Sequence, residues 1–194
     1  MPARLPAPAR REQILDVALT VFATTGYHGA SMNDVAEAAG VTKPVLYQHF
    51  ESKRDLYQAL LREAGTRMIN SIIKGTSEAT DGKSLTELGY RSYFRWVATD
   101  TNAFRLLFSS GARREREFSD VVRSITAEAA QAVAPLIDVD IDDLQRQTLA
   151  HALVGLAEGA SRVLVELGDD FDADAIARDV SSLAWAGLRS LPKS

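Results

Sequence analysis

"VTKPVLYQHFESK", Val41 to Lys53, is the stretch on which the reading of this chain turns. Leu46 and Phe50 stand four apart, the spacing of a single helix face, and suit a buried side. Lys43, Tyr47 and Gln48, with the edge bearing His49, then point outward. A core helix has no use for those neighbours; they suit a partner rich in hydrogen-bond acceptors. Thr42 is a helix N-cap, and Pro44 follows in the first turn, where its missing N–H removes no helical bond. Ser52, with Asp55 three positions on, opens another helix in the manner of a capping box.

Upstream, Ser31 and Asp34 give the same signal before "MNDVAEAAG", and Gly40 limits that helix to about two turns. Two short helices joined at "AAGVTKP" form a helix-turn-helix over about residues 31–50, in which the first helix braces the second against DNA. The turn requires a left-handed residue, which Gly40 supplies. Ala36 and Ala39 allow a close crossing, and Val35, Val41, Leu46 and Phe50 fill the small core beneath.

The stretch "FATTGYHGASMNDVAEAAGVTKPVLYQHFESKRDLYQAL" resembles the tetracycline-repressor (TetR) family of bacterial transcription regulators. The resemblance covers roughly Arg10 to Leu61; beyond it the chain matches only in length and helical pattern. It implies that Lys43, Pro44 and Gln48 approach base edges, while Ser31, Thr42, Tyr47, His49 and Lys53 hold phosphates. The chemistry suits those roles: hydroxyls and helix N-termini bind phosphate, and a lysine donates to guanine N7 or O6.

The whole chain reads as all-α, with nine helices and no sustained period-two alternation. "RREQILDVALTVFATTG" sets Ile14, Ala18, Val21 and Phe22 on one stripe and stops at Gly26. The helix from Ser52 to about Gly75 carries Tyr57, Leu61, Ala64, Met68 and Ile72. Ser84 with Glu87 reads as the capping box of the next helix. "NAFRLLFSSG" is a short one, and others run from about Arg113 to Pro135, from about Asp143 to Leu167 and from Asp174 to Leu191. The expected organisation is a disordered arm over 1–9, a DNA-binding domain over 10–54 and an effector-binding and dimerisation domain over 55–194.

Charge alone does not suggest DNA. The net charge is −4, and residues 1–54 hold six basic against five acidic side chains. Arg4 and Arg10 of the arm read either as a solvated tail or as minor-groove contacts. The absence of cysteine excludes disulfides and thiolate chemistry. No apolar run reaches membrane-spanning length, and "MPARLPAPARRE" lacks a secretion signal's apolar stretch, so a cytoplasmic protein is expected.

The middle helices are aromatic-rich. Most of those rings belong to an ordinary core, and the resemblance implies a cavity among them for a small effector. Met68, Ile72, Tyr93, Trp96, Phe104 and Phe108 are the candidate lining. Arg113, Arg114 and Arg116 read as a solvated helix start, with an acidic ligand head as the alternative. In the penultimate helix Leu149, Leu153, Leu156, Ala160, Val163 and Leu167 recur at alternating spacings of four and three, beside a second stripe of Ala150, Val154, Ala157 and Ser161. A helix apolar on two sides must be covered on two sides. Leu153, Leu156, Gly159, Ala160 and Val163, with Val180, Leu183, Ala184 and Gly187 of the last helix, are therefore the expected interface of a homodimer, the assembly the resemblance also implies.

No nucleophile constellation, phosphate loop, cofactor motif or metal-ligand spacing is present. "DVDIDD" imitates the opening of a calcium loop and then fails, with Asp143 at the glycine position and Leu149 at the closing glutamate; Asp142 with Gln145 reads as a helix cap instead. The expected function is not enzymatic. It is a ligand-responsive regulator, a repressor that binds an inverted-repeat operator in double-stranded DNA and is released by a hydrophobic or amphipathic effector. The alternatives are an activator, or a helical small-molecule carrier with an inert helix-turn-helix.

Overall fold

The computed structural model describes residues 6–108, 115–167 and 171–191, without the side chains of 165–167. Among the described residues there are nine α-helices, one short 3-10 turn and no strand. Helix α1 spans Ala7–Gly29, α2 Met32–Ala38, α3 Lys43–His49, α4 Lys53–Thr76, α5 Gly82–Thr99, α6 Thr101–Phe108, α7 Arg116–Val133, α8 Asp143–Leu167 and α9 Ala173–Leu188. None is long and apolar enough to cross a membrane. Helix α1 begins three residues before Arg10, because Pro8 sits in its first turn, where no N–H is needed. It breaks where expected, at Gly26, whose φ of 72° and ψ of 168° are not helical.

The chain divides into two compact units, Met1–Ala64 with Asn102–Val121, and Gly65–Thr101 with Val122–Ser194. In the first unit, α1 buries Ile14, Leu15, Ala18, Leu19 and Phe22, while Val21 is half-buried. Leu56, Leu60 and Leu61 of α4 and Ala103, Phe104, Leu106 and Leu107 of α6 complete its core. The start of α7 adds Phe118, whose ring lies 4.7 Å from those of both Tyr27 and Tyr57. Phe22 meets Tyr57 edge-on at 5.1 Å. Burial, with Glu115 nearby, pushes the Tyr57 phenol up to about 12.

In the second unit α5 and α9 run antiparallel. At one end of the pair Arg95 donates two 2.8 Å bonds to the Asp174 carboxylate, which holds that acid below its usual range. Helix α4 comes close to α5 at Gly75, where a Cβ would lie 1.7 Å from Ser92 Oγ. The cap of α5 differs from expectation: Asp81 is the N-cap and Ser84 the third helical residue, each side chain accepting the other's backbone N–H. Both registers place a cap-forming side chain three residues before a partner. In the structure Asp81 takes the cap, and Glu87, the partner expected for Ser84, pairs with Lys83 at 3.6 Å. The box at α8 is as expected, with the Asp142 N–H donating to Gln145 and the Gln145 N–H to Asp142.

On α8 the second stripe faces inward. Ala150, Ala157, Ser161 and Leu164 are buried. The first stripe is split: Leu153 is half-buried, whereas Val163 is 54% exposed. On α9, Ala184 faces inward at 7% exposure and Leu183 outward at 65%. A Cβ on Gly155, Gly159 or Gly187 would meet no atom within 4 Å.

Candidate nucleic-acid interface and effector cavity

The presentation of α3 follows from local chemistry. Ser31 and Asp34 close a full capping box on α2, so the helix starts at Met32. Gly40 takes a φ of +64°, and Val41 N–H returns to the Ala36 carbonyl at 3.0 Å, which turns the chain sharply into α3. Thr42 stands at the N-cap position, though its side chain makes no capping bond, and Pro44 occupies the first turn.

Val35 and Leu46 are fully buried and Phe50 nearly so. This pins one side of α3 to the core and leaves Thr42, Lys43, Pro44, Tyr47 and Gln48 exposed, with Tyr47 at 49%. His49 is half-buried at the edge. Ser31 is exposed; its hydrogen bonds, hydroxyl first and backbone second, hold the Asp34 carboxyl below its usual range.

Lys53 is placed differently from a free phosphate donor. Its ammonium donates to the carbonyls of Tyr27 at 2.8 Å and Ala30 at 2.9 Å and lies 4.5 Å over the Tyr27 ring. Two of its three N–H groups are thereby directed inward, tying the end of α1 to the start of α4.

Arg10, read from sequence as part of an arm, belongs to α1. It donates to Gln13 at 2.5 Å and shares a shallow groove with Thr42, Val45, Gln48 and His49. No signal in the sequence joined it to that face, since thirty-odd residues separate it from α3. Arg11 lies over the Phe50 ring at 4.9 Å. Arg4, Arg113 and Arg114 fall outside the described residues, and Arg116 is exposed at the start of α7.

The second unit contains a small apolar cavity of about 70 Å³, partly open to solvent. Its walls come from α4 (Ile72), α5 (Gly82 to Tyr93), the end of α7 and the turn after it (Val133 to Asp138), α8 (Leu153, Val154, Ala157) and α9 (Trp185, Leu188). Of the six lining candidates, Ile72 and Tyr93 are on the wall. Met68 and Trp96 are buried but do not line it, and Phe104 and Phe108 belong to the first unit, 5.0 Å from each other. Helical spacing showed that these rings are buried, not which ones border empty space.

The polar groups of the wall are largely satisfied. The Tyr90 hydroxyl donates to the Leu153 carbonyl at 3.0 Å, and the Tyr93 hydroxyl lies 3.1 Å from Ser161 Oγ. Burial pushes both phenols up, so they stay neutral. Among the described residues no group of three or more His, Asp or Glu is placed to hold a metal ion.

A short, exposed, polar-faced helix held by a glycine turn, in an all-helical chain with an apolar cavity, defines a DNA-binding transcription regulator of the helix-turn-helix class. Residues 14–60 match the family model described as bacterial regulatory proteins, tetR family. The HTH-type transcriptional activator FasR of Mycolicibacterium smegmatis is 31% identical over 191 residues, 97% of this chain and 87% of that protein. The HTH-type transcriptional repressor Rv1474c of Mycobacterium tuberculosis is 32% identical over 143 residues, 74% of this chain and 68% of that one. FadR from Bacillus subtilis, solved in complex with stearoyl-CoA, superposes with a TM-score of 0.79 at 20% identity, covering 91% of this chain and 98% of that one. The chain belongs to the tetR family of bacterial regulatory proteins, and it is a transcription regulator, not an enzyme.

Proposed function

We propose that this protein is a homodimeric repressor that binds an inverted-repeat operator and is released by an apolar or amphipathic effector. The observation that carries the DNA-binding half is the division of α3: Leu46 is fully buried while Thr42, Lys43, Pro44, Tyr47 and Gln48 are all exposed. In this reading Lys43, Pro44 and Gln48 face base edges, and Ser31, Thr42, Tyr47 and His49 hold the backbone, with Lys53 bracing the turn behind them. Arg10 adds a cation beside Gln48 and His49.

The dimer reading draws support from the outward stripes of α8 and α9. Leu156, Gly159, Ala160 and Val163 on one, and Val180, Leu183 and Gly187 on the other, are half-buried or exposed in the single chain. Leu153 and Ala184 point inward and drop out of the proposed contact. A twofold dimer places its two α3 helices about one helical turn of DNA apart.

The cavity supports the effector half. Helix α4 carries both Lys53 and Ile72, so a ligand that displaces Ile72 acts on the same rod that anchors the helix-turn-helix. A ligand that favours the DNA-free form must lose affinity by the same factor when DNA binds, typically about 5- to 150-fold. The relative named as an activator favours a second reading, in which the same binding and release act on a promoter positively. Selection of bound sequences from random duplexes, followed by transcription in vitro from a promoter carrying the selected site, distinguishes the two. Repression relieved by an apolar ligand is expected; stimulation at the same site makes the protein an activator.

A further inference from the structure

Resting on the reading of α3 as the DNA-reading helix, we infer that Arg10 of α1 is a sugar-phosphate contact of the operator, aimed by Gln13 into the groove along one flank of α3. That groove is bordered by Arg10 and by Thr42, Val45, Gln48 and His49, but not by Lys43, Pro44 or Tyr47. Positions 42, 45 and 49 follow one another at spacings of three and four, so they form one flank of the helix rather than its outermost ridge. A helix laid in the major groove has base edges ahead of it and a sugar-phosphate strand along its flank.

The groove suits an anion. Among the described residues no aspartate or glutamate borders it, and Arg10 brings a permanent positive charge. The Thr42 side chain makes no capping bond, which leaves its hydroxyl to donate.

Arg10 is held there by a neutral partner. Its Nη1 donates to Gln13 Oε1 at 2.5 Å, and the Gln13 amide donates to the Ala39 carbonyl at 3.5 Å, one residue before the left-handed Gly40. The guanidinium is thereby tied to the turn that sets the direction of α3, and its Nε and Nη2 remain for a ligand. Neighbouring cations are placed otherwise. Arg54 meets the Glu117 carboxylate at 3.1 Å, His28 lies 3.0 Å from Glu115, and Arg11 covers the Phe50 ring. A guanidinium fixed by an amide keeps its full charge for a phosphate, to which its remaining N–H groups present a fork. An arginine that only braced α1 against the turn would bond the carbonyls itself, as Lys53 does with those of Tyr27 and Ala30.

The test is anisotropy titration of the full chain on a duplex carrying the inverted repeat that the wild-type chain selects, across salt concentrations, beside a full binding-site profile. Each phosphate contact contributes about 0.9 to the slope of log affinity against log salt, so Arg10→Met should lower that slope by about 0.9 per protomer. For a dimer, the wild-type advantage over Arg10→Met then shrinks about tenfold between roughly 50 and 200 mM salt. The profile and the thermal midpoint should stay as they are, and Arg10→Lys should restore the slope. Gln13→Met should weaken binding several-fold in the wild-type background and have no further effect in Arg10→Met, since Gln13 acts through Arg10. An unchanged slope in Arg10→Met overturns the contact, and an equal loss from Gln13→Met in both backgrounds overturns the positioning role. A changed preference at one base pair makes Arg10 a base reader and overturns the backbone assignment. Wild-type protein that binds no duplex removes the DNA-reading role of α3 together with this inference.

Discussion

Lys53→Met separates two roles that one lysine is able to play. In the structure its ammonium joins the carbonyls of Tyr27 and Ala30 and covers the Tyr27 ring. Methionine keeps the unbranched stem and removes all three contacts. A hydrogen bond from a charged group contributes about 1.5–3 kcal/mol. Because Lys53 is half-buried and the freed carbonyls gain partial access to water, the two bonds together are worth about 2 kcal/mol rather than their sum. For a chain of this length that lowers the thermal midpoint by roughly 4–8 °C. Operator affinity falls as well, since α2 and α3 lose their brace, but the dependence of log affinity on log salt should keep its slope. A phosphate contact behaves in the opposite way: its loss reduces that slope by about one per half-site and leaves the midpoint alone. Calorimetric melting and anisotropy titrations across salt concentrations read both quantities. An unchanged midpoint with a shallower slope would refute the bracing role.

Lys43→Ala should weaken specific binding by about 1–3 kcal/mol and relax preference at one base pair per half-site, read from a full binding-site profile. Leu183→Glu places a charge on the outward stripe of α9; sedimentation should show a lower dimer fraction, with operator affinity falling in parallel. Gly75→Ala drives a Cβ into Ser92 and should destabilise by about 1–3 kcal/mol in urea unfolding, with Ser92→Gly in the same chain restoring most of the loss.

The helix-turn-helix was legible because local chemistry sets it. Capping residues at Ser31, a left-handed glycine at Gly40 and a four-residue apolar spacing at Leu46 and Phe50 act over short distances, and each appears in the structure. What escaped the sequence depends on tertiary neighbours. Lys53 pairs with carbonyls more than twenty residues away, Arg10 reaches the face of α3 from another helix, and Leu153 turns out to line the cavity. Periodicity separates a buried side from an exposed one; it does not tell a packed core position from a cavity wall. The cap of α5 shifted by three residues because Asp81 and Ser84 both qualify, and only the packed helix decides between them.

Whether the exposed face of α3 reads DNA is decided by sequence selection on purified protein. Wild-type protein and the Tyr47→Ala, Lys43→Ala double variant would each be presented with random duplexes, and the retained DNA titrated at several salt concentrations. One enriched inverted repeat is expected, bound about 10³- to 10⁷-fold more tightly than random sequence and weakening steeply with salt, with no enrichment by the variant. Wild-type protein that enriches no sequence, while still binding an apolar ligand in its cavity, would overturn the DNA-reading role of α3 and leave a helical carrier with an inert helix-turn-helix.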